Sequence, residues 1–253
     1  VGVPGTVAGM QMALEKYGTM SLSEVLQPAI KLARDGFIVT TGLSDSLIDS
    51  QNKLKLWPST VKVFFKPDGT TYAAGDLLQQ PELAHTLQLI ADKGVDGFYK
   101  GETAEKIAAG VQAAGGSMTV EDLANYKAVM RDPVHGTYRG YEIVSMPPPS
   151  SGGVHIVQIL NVLEGYPIGF LGHNSAKTIH LMAEAMKYAY ADRSEYLGDS
   201  DYVDVPMSEL ISKEYAASIR EQISLTAVRP SADIKPGDLA PYESNQTTHF
   251  SVV

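Results

Sequence analysis

The sequence contains no cysteine among its 253 residues. This absence excludes disulfide bonds, zinc–thiolate sites and a cysteine nucleophile, although it does not select a cellular compartment. The sequence also has no apolar run close to the roughly 20 residues that a helix needs to cross a bilayer. We therefore do not expect the chain shown to be an integral membrane segment.

Positive charge is in deficit. Lys and Arg together number 20 against 29 Asp and Glu, which gives a formal net charge of -9. An acidic chain has no electrostatic footprint for binding phosphate backbones, so nucleic acid is not an expected partner. With 44% hydrophobic and 19% charged residues the composition is that of a globular protein, either one large domain or two small ones.

The two ends of the chain lack the features of a complete gene product. Val1 is not a methionine, and no signal-peptide pattern precedes the first helical repeat. Val253 falls within a pattern typical of a strand. We therefore expect this sequence to be part of a longer product, with any targeting signal outside it.

Helical periodicity dominates the first half. Val7, Leu14 and Tyr17 repeat at helical spacing before Gly18, and they predict an amphipathic helix. Ser21 and Glu24 predict a capping box for a second helix, which Pro28 is expected to kink or restart. Further helices are predicted over 81–93 and 103–114, followed by a short capped turn over 119–126.

The second half begins with extended segments. Residues 129–138 and 141–146 predict an antiparallel pair joined by a turn at Arg139 and Gly140. Helices are then predicted over 150–163, 175–197 and 208–223. The longest of them is predicted to place five apolar side chains toward the core: Ile179, Met182, Met186, Tyr190 and Leu197.

The last part of the sequence changes character again. Three prolines and little periodicity over 226–246 predict an exposed loop or linker. Residues 247–253 then alternate, with Thr248, Phe250 and Val252 on one face, and predict a strand.

Common cofactor and metal motifs are missing. We find no Walker loop, dinucleotide fingerprint, zinc-protease helix or hydrolase nucleophile elbow. Five histidines stand singly in different elements without metal-ligand spacing: His85, His135, His155, His173 and His180. Asp199, Asp201 and Asp204 lack the glycine and distal glutamate of a calcium loop, so a solvated helix end is the favoured interpretation. We predict no metal site and no cofactor.

The glycine-rich segment 147–153 has two interpretations. Backbone amides at a helix start can bind a carboxylate or an oxyanion. The same proline-to-glycine connection is also a common rigid corner between a strand and a helix. The residues alone leave both interpretations open.

Thr247 stands where the proline-rich stretch meets the predicted strand. A threonine hydroxyl is a weak nucleophile, and one way to activate it uses the α-amine of the same residue as general base. That arrangement requires a chain terminus, so a precursor must be cut just before its threonine. Threonines that open a strand are common, and composition alone favours an ordinary structural residue at this position.

A resemblance to a known family extends this hypothesis. The run Pro241-Tyr242-Glu243-Ser244-Asn245-Gln246-Thr247-Thr248-His249-Phe250-Ser251-Val252-Val253 resembles the processing junction of γ-glutamyltranspeptidases, also called glutathione hydrolases. Three more stretches resemble their large-subunit region: Pro4-Gly5-Thr6-Val7-Ala8-Gly9, Met146-Pro147-Pro148-Pro149-Ser150-Ser151-Gly152-Gly153 and Tyr188-Ala189-Tyr190-Ala191-Asp192-Arg193. The resemblance runs in order through the whole chain.

The resemblance implies an α/β (α+β) fold, the four-layer αββα sandwich of N-terminal-nucleophile hydrolases. This chain would hold its mostly helical part, with residues 1–246 in the large subunit and 247–253 at the start of the small subunit. The implied scissile bond joins Gln246 to Thr247, and Thr247 is the implied nucleophile. Substrate-binding residues are expected outside this chain.

The implied reaction is γ-glutamyl transfer and hydrolysis. Its expected partners are glutathione and other γ-glutamyl compounds, amino acid or peptide acceptors, water, and the small subunit of the same precursor. The resemblance also implies a periplasmic or secreted enzyme. Two alternatives stay open: a cephalosporin or glutaryl acylase of the same family, and a degenerate homologue that acts as a binding protein.

Overall fold

A computed structural model describes residues 2–242, which form two compact units divided between Val129 and Met130. Helices predominate in both units, as the sequence predicts. None of the helices within the described residues is long and apolar enough to span a bilayer.

The first unit is built from eight described helices and one small antiparallel sheet. Its elements are α1 Thr6–Tyr17, α2 Leu22–Asp35, β1 Phe37–Ile38, α3 Thr41–Leu54, α4 Pro58–Phe64, β2 Leu77–Leu78, α5 Pro81–Lys93, α6 Asp96–Tyr99, α7 Gly101–Ala113 and α8 Val120–Ala124. Strand β1 pairs with β2, with Phe37 opposite Leu78. A buried cluster around Tyr99, Ala104 and Leu123 joins α6, α7 and α8.

Helix α2 confirms one local prediction and corrects another. The Ser21 hydroxyl accepts the Glu24 amide at 3.2 Å, and the Glu24 carboxylate accepts the Ser21 amide at 2.8 Å, which completes the predicted capping box. The predicted restart at Pro28 is wrong, because α2 continues from Leu22 to Asp35 through this residue, while the alternative of a kink stays a prediction. Proline removes one backbone hydrogen bond, and the cap and the packing of α2 against α5 hold the helix despite that loss.

The second unit contains a hairpin followed by helices. Its elements are β3 Val134–Tyr138, β4 Tyr141–Ser145, α9 Ser151–Glu164, α10 Ile168–Leu171, α11 Ala176–Tyr196, α12 Met207–Leu210 and α13 Lys213–Gln222. The predicted hairpin turn is confirmed, since Arg139 and Gly140 both have positive φ, at 51° and 86°. This is the backbone that a two-residue turn between twisted strands requires.

Helix α9 is the centre of the second unit. It packs against β3, α11 and α13, and its Val154, Val157 and Val162 are almost completely buried. The single helix predicted over 208–223 is two helices, because Ser212 caps a new one by accepting the Tyr215 amide at 3.1 Å.

The predicted inward face of α11 is wrong. Ile179, Met182, Met186 and Tyr190 are 38–58% exposed. The buried residues instead form a neighbouring stripe at the same helical spacing: Thr178, Leu181, Glu184, Ala185, Tyr188, Ala189 and Asp192. Two carboxylates lie in that stripe. A prediction based on hydrophobicity therefore chose the more apolar stripe, which is the exposed one.

The predicted exposed loop is confirmed for most of the part that the structure describes, since residues 226–241 are mostly exposed and contain no α-helix or strand, but two apolar side chains depart from it. Ile234 and Leu239 are buried, and short 3₁₀ turns occupy Ser231–Asp233 and Ala240–Tyr242. The remaining residues of that prediction, and the strand predicted over 247–253, lie outside the described residues.

Candidate functional site

The polypeptide that leads toward the predicted junction is fastened to α11. The Lys187 ammonium group donates to the Arg229 carbonyl oxygen at 2.8 Å. The Arg229 guanidinium group in turn donates to the Tyr188 hydroxyl at 2.9 Å and to the Asp233 carbonyl oxygen at 3.0 Å. These contacts determine the path of the chain as it leaves the last helix.

Gly237 is held on both sides of its backbone. Its amide donates to Asp192 Oδ1 at 2.8 Å, and its carbonyl oxygen accepts the Tyr196 hydroxyl at 2.6 Å. A Cβ atom at this position would lie 1.9 Å from the Tyr215 hydroxyl oxygen. Only glycine fits this close approach without moving the tyrosine or the chain.

Asp192 is the hub of a buried polar network. Only 1% of the surface of Asp192 is exposed to solvent. Besides the Gly237 amide, the carboxylate accepts the Tyr215 hydroxyl at 2.8 Å and the Gln158 side-chain amide. A buried carboxylate needs such donors, because burial without them costs several kcal/mol.

His155 continues the network on α9. Its Nδ1 lies 2.8 Å from Gln158 Oε1. Because the Gln158 amide group donates to Asp192, its Oε1 is free to accept, so His155 Nδ1 carries the hydrogen. His155 Nε2 is buried and has no hydrogen-bond partner among residues 2–242. Burial lowers the pKa of the ring below its ordinary 6.5.

This lowered pKa predicts a pH dependence of stability. The ordinary pKa of 6.5 applies to the unfolded chain, which therefore binds a proton at His155 more readily than the folded unit does. The contribution of His155 to the free energy of unfolding is complete above pH 6.5 and is lost as the pH falls through the lower pKa of the folded unit. We expect the melting temperature of the wild type to exceed that of His155→Gln by less at pH 5 than at pH 7.5, as measured by differential scanning fluorimetry.

The matched control for this prediction is His173→Gln, which removes an exposed titratable ring from the same unit. A difference between wild type and His155→Gln that stays constant over the pH range, or grows toward acid, would contradict the prediction.

The segment 147–153 forms a closely packed connection between β4 and α9. Ser150 caps α9 by accepting the Gly152 amide at 3.1 Å, and Ser145 donates its hydroxyl to the Gly152 carbonyl oxygen at 3.0 Å. A Cβ atom on Gly153 would lie 2.0 Å from the Met146 carbonyl oxygen. The Gly152 amide is therefore already satisfied, and Gly153 allows the helix start to approach the backbone at the end of β4.

The first family-like stretch, residues 4–9, is held by aromatic side chains of its own unit. The Tyr99 hydroxyl donates to the Pro4 carbonyl oxygen at 2.7 Å. Gly5 lies so close to Tyr126 that a Cβ atom would be 2.1 Å from the hydroxyl oxygen. These contacts fasten the start of α1 to α6 and to the end of α8.

A cavity of about 880 Å³ in the first unit carries paired charges. Glu102 accepts hydrogen bonds from Lys106 and His85, which lower the pKa of its carboxyl group to about 2. Lys62 pairs with Glu82 at 2.5 Å. These side chains are half or more exposed, so their ion pairs contribute little to stability.

The acidic and histidine residues considered as metal ligands do not converge. Asp199 and Asp201 pair with the Arg131 guanidinium group. His135 contacts Glu142, and His180 contacts the Ser224 carbonyl oxygen. Residues 2–242 contain no group of three or more His, Asp or Glu that would hold a metal ion.

The predicted nucleophile, Thr247, and its cleavage partner Gln246 lie outside the described residues. Sequence reasoning missed Gln158, Asp192 and Gly237. The family-like stretch 188–193 contains Asp192 and is the one signal in the sequence that points to this residue.

The sequence profile of the family described as Gamma-glutamyltranspeptidase matches residues 1–253. The chain belongs to the γ-glutamyltranspeptidase family. It is 56% identical over 252 residues to a glutathione hydrolase proenzyme of Escherichia coli strain K12, covering 100% of this chain and 43% of that one. It is also 43% identical over 253 residues to the Acylase ACY 1 proenzyme of Pseudomonas sp. strain SE83, again covering 100% of this chain and 44% of the other.

A solved γ-glutamyltranspeptidase confirms the fold class. The crystal structure of the Helicobacter pylori enzyme superimposes with a TM-score of 0.89 at 46% identity, covering 98% of this chain and 70% of that one. The described residues are the mostly helical, large-subunit part of this N-terminal-nucleophile hydrolase fold. The chain spans less than half the length of the curated γ-glutamyltranspeptidase relatives that it matches.

Proposed function

We propose that this chain is most of the large subunit, residues 1–246, and the first residues, 247–253, of the small subunit of a glutathione hydrolase precursor. The observation that carries the proposal is the 56% identity to the E. coli glutathione hydrolase proenzyme along the whole chain. Self-cleavage between Gln246 and Thr247 activates the precursor. The fragment alone is inactive, because Thr247 has no free amine before cleavage.

The first stage of the proposed reaction is an acyl shift within the precursor. Thr247 Oγ attacks the Gln246 carbonyl carbon, the bond from that carbon to the Thr247 nitrogen breaks, and the nitrogen takes up a proton. Water then hydrolyses the resulting ester. This leaves Gln246 with a carboxylate and Thr247 with a free hydroxyl and a free α-amine.

The second stage uses the same hydroxyl on substrate. The α-amine of Thr247 accepts the hydroxyl proton while Oγ attacks the γ-glutamyl carbonyl carbon. The amide bond breaks, and its nitrogen leaves as the protonated amine, which is cysteinylglycine when the donor is glutathione. Water or the amine of an amino acid or peptide then takes the γ-glutamyl group.

The proposed partners follow from this chemistry. The donors are glutathione and other γ-glutamyl compounds, and the acceptors are water, amino acids and peptides. Each step uses a hydroxyl, an amine and water, so the scheme requires no cofactor. The small subunit from the same precursor supplies the rest of the site, and a periplasmic or secreted location is proposed from the family resemblance.

The rival activity is that of an acylase, because the Acylase ACY 1 proenzyme also matches the whole chain, at 43% identity. The donors γ-glutamyl-p-nitroanilide and glutaryl-p-nitroanilide form a matched pair, since they differ by one α-amino group. For the complete gene product we expect kcat/KM to favour the γ-glutamyl donor on the order of 100-fold or more, because polar groups that bind the amine are left unpaired by the glutaryl donor.

Release of p-nitroaniline measured at 405 nm tests this prediction, with the reaction without enzyme as control. A preference for the glutaryl donor would overturn the glutathione hydrolase proposal in favour of the acylase. Lack of turnover with both donors, together with an uncut precursor, would favour the degenerate binding protein.

A further inference from the structure

We propose that Asp192 is a positioning residue for cleavage of the precursor. It holds Gly237 in place and thereby anchors the polypeptide that carries the scissile bond. The inference rests on the proposed function, since it assumes self-cleavage between Gln246 and Thr247. It adds a positioning role for a residue of the large-subunit part that is almost completely buried.

The anchor consists of two hydrogen bonds to Gly237, one to its amide and one to its carbonyl oxygen. Asp192 binds the Gly237 amide at 2.8 Å, while Tyr196, one helical turn further along α11, binds its carbonyl oxygen at 2.6 Å. The Tyr215 hydroxyl lies against the Gly237 α-carbon, where a Cβ atom would sit 1.9 Å away. The position of this residue is therefore fixed by hydrogen bonds and by shape.

The carboxylate itself is fixed from the opposite side. Tyr215 and Gln158 both donate to Asp192 Oδ2, which leaves Oδ1 directed at Gly237. A carboxylate that is 1% exposed is a costly group at a core position, where an apolar side chain would pack without a desolvation penalty. At this position the carboxylate instead offers one oxygen in a fixed orientation to the Gly237 amide.

Gly237 lies nine residues before Gln246, and anchoring it, together with the buried Leu239, shortens the stretch of chain, or tether, that leads to the scissile bond. A fully extended tether of that length spans about 30 Å, and a shorter tether costs less entropy when its free end must adopt one geometry. The acyl shift requires such a geometry, with the threonine hydroxyl aligned on the preceding carbonyl carbon. Loosening the anchor is therefore expected to slow cleavage in a precursor that is otherwise folded.

The first test compares two Tyr→Phe variants of the complete gene product. Tyr196→Phe removes the hydroxyl that binds the Gly237 carbonyl oxygen, and Tyr166→Phe removes a partly buried hydroxyl that donates to the Arg220 carbonyl oxygen at 3.4 Å. After cell-free synthesis, the first-order rate of cleavage is followed by intact mass. We expect Tyr196→Phe to slow cleavage about 5-fold, the effect of one hydrogen bond, and Tyr166→Phe to leave the rate within about 2-fold.

The second test uses conservative rescue at Asp192. Asp192→Asn retains an oxygen that can accept the Gly237 amide, whereas Asp192→Ala retains none. We expect cleavage to slow in the order wild type, Asn, Ala, with a loss of about 10-fold or more for Ala. The rate is measured on soluble precursor, with circular dichroism and a melting curve as the readout of folding.

A merely structural role for Asp192 predicts another pattern, in which the melting temperature falls while the folded fraction cleaves at the wild-type rate. That pattern, or equal rates for Tyr196→Phe and Tyr166→Phe, would overturn the inference while self-cleavage stands. If Asp192→Ala fails to fold, the tyrosine pair decides. A wild-type precursor that is never cut between Gln246 and Thr247 would instead overturn the proposed function.

Discussion

Replacing Thr247 by Ala in the complete gene product is expected to leave the chain uncut and to lower turnover of γ-glutamyl donors by a factor on the order of 1,000 or more. The loss is large because one hydroxyl serves both stages of the proposed reaction. Without it there is no acyl shift, no free α-amine and no acyl-enzyme. Denaturing electrophoresis and p-nitroaniline release measure the two effects on the same sample.

Thr248→Ala is the matched control, because it removes the neighbouring hydroxyl with the same change of side chain. We expect this variant to retain cleavage, at a measurable rate, between Gln246 and Thr247. An uncut Thr248→Ala precursor beside a normally cut Thr247→Ala precursor would show that Thr248, and not Thr247, is the nucleophile.

The second large effect is expected at the corner before α9. Gly153→Ala places a Cβ atom 2.0 Å from the Met146 carbonyl oxygen, which is backbone and has no rotamer to move aside. The start of α9 or the end of β4 must then shift. We expect the free energy of unfolding to fall by about 3 kcal/mol, as for other overpacked core positions, with a lower melting temperature of the complete gene product.

The adjacent glycine provides the control. A Cβ atom on Gly152 would lie 3.2 Å from the Ser150 hydroxyl oxygen, a rotatable side chain, and would meet no backbone atom. Alanine also has the higher helix propensity, by about 1 kcal/mol. We therefore expect Gly152→Ala to stay within about 1 kcal/mol of the wild type. Equal destabilisation by both variants would contradict the close approach at Gly153.

Features coded by neighbouring residues were predictable from the sequence. The capping box of Ser21 and Glu24, the turn at Arg139 and Gly140 and the start of α9 after Ser150 all depend on side chains within three positions of one another. Such interactions are made inside one turn of chain, so tertiary packing has little opportunity to change them.

Features decided by packing were not predictable in this way. Two stripes of α11 have helical spacing, and the stripe with the more apolar side chains is the exposed one. Glu184 pairs with Lys187 of the same helix. Asp192 is buried because Gly237, Tyr215 and Gln158, which lie elsewhere in the chain, donate hydrogen bonds to it. A pattern in one helix contains no information about those partners.

In the candidate site, too, one part was predictable from the sequence and another part was not. Composition and spacing left Thr247 as one of two ordinary threonines, and the resemblance to a processing junction supplied its role. That role stays a prediction, because Gln246 and Thr247 lie outside the described residues. The anchor at Gly237 was invisible to sequence reasoning, since prolines at 230, 236 and 241 are typical of an exposed linker.

The most direct test of the central claim is the intact mass and terminal sequence of the complete gene product after incubation at neutral pH. It requires no assumption about the substrate. The account predicts two fragments, one that ends at Gln246 and one that begins at Thr247. A single folded chain that remains uncut, or a new terminus at any other residue, would contradict it.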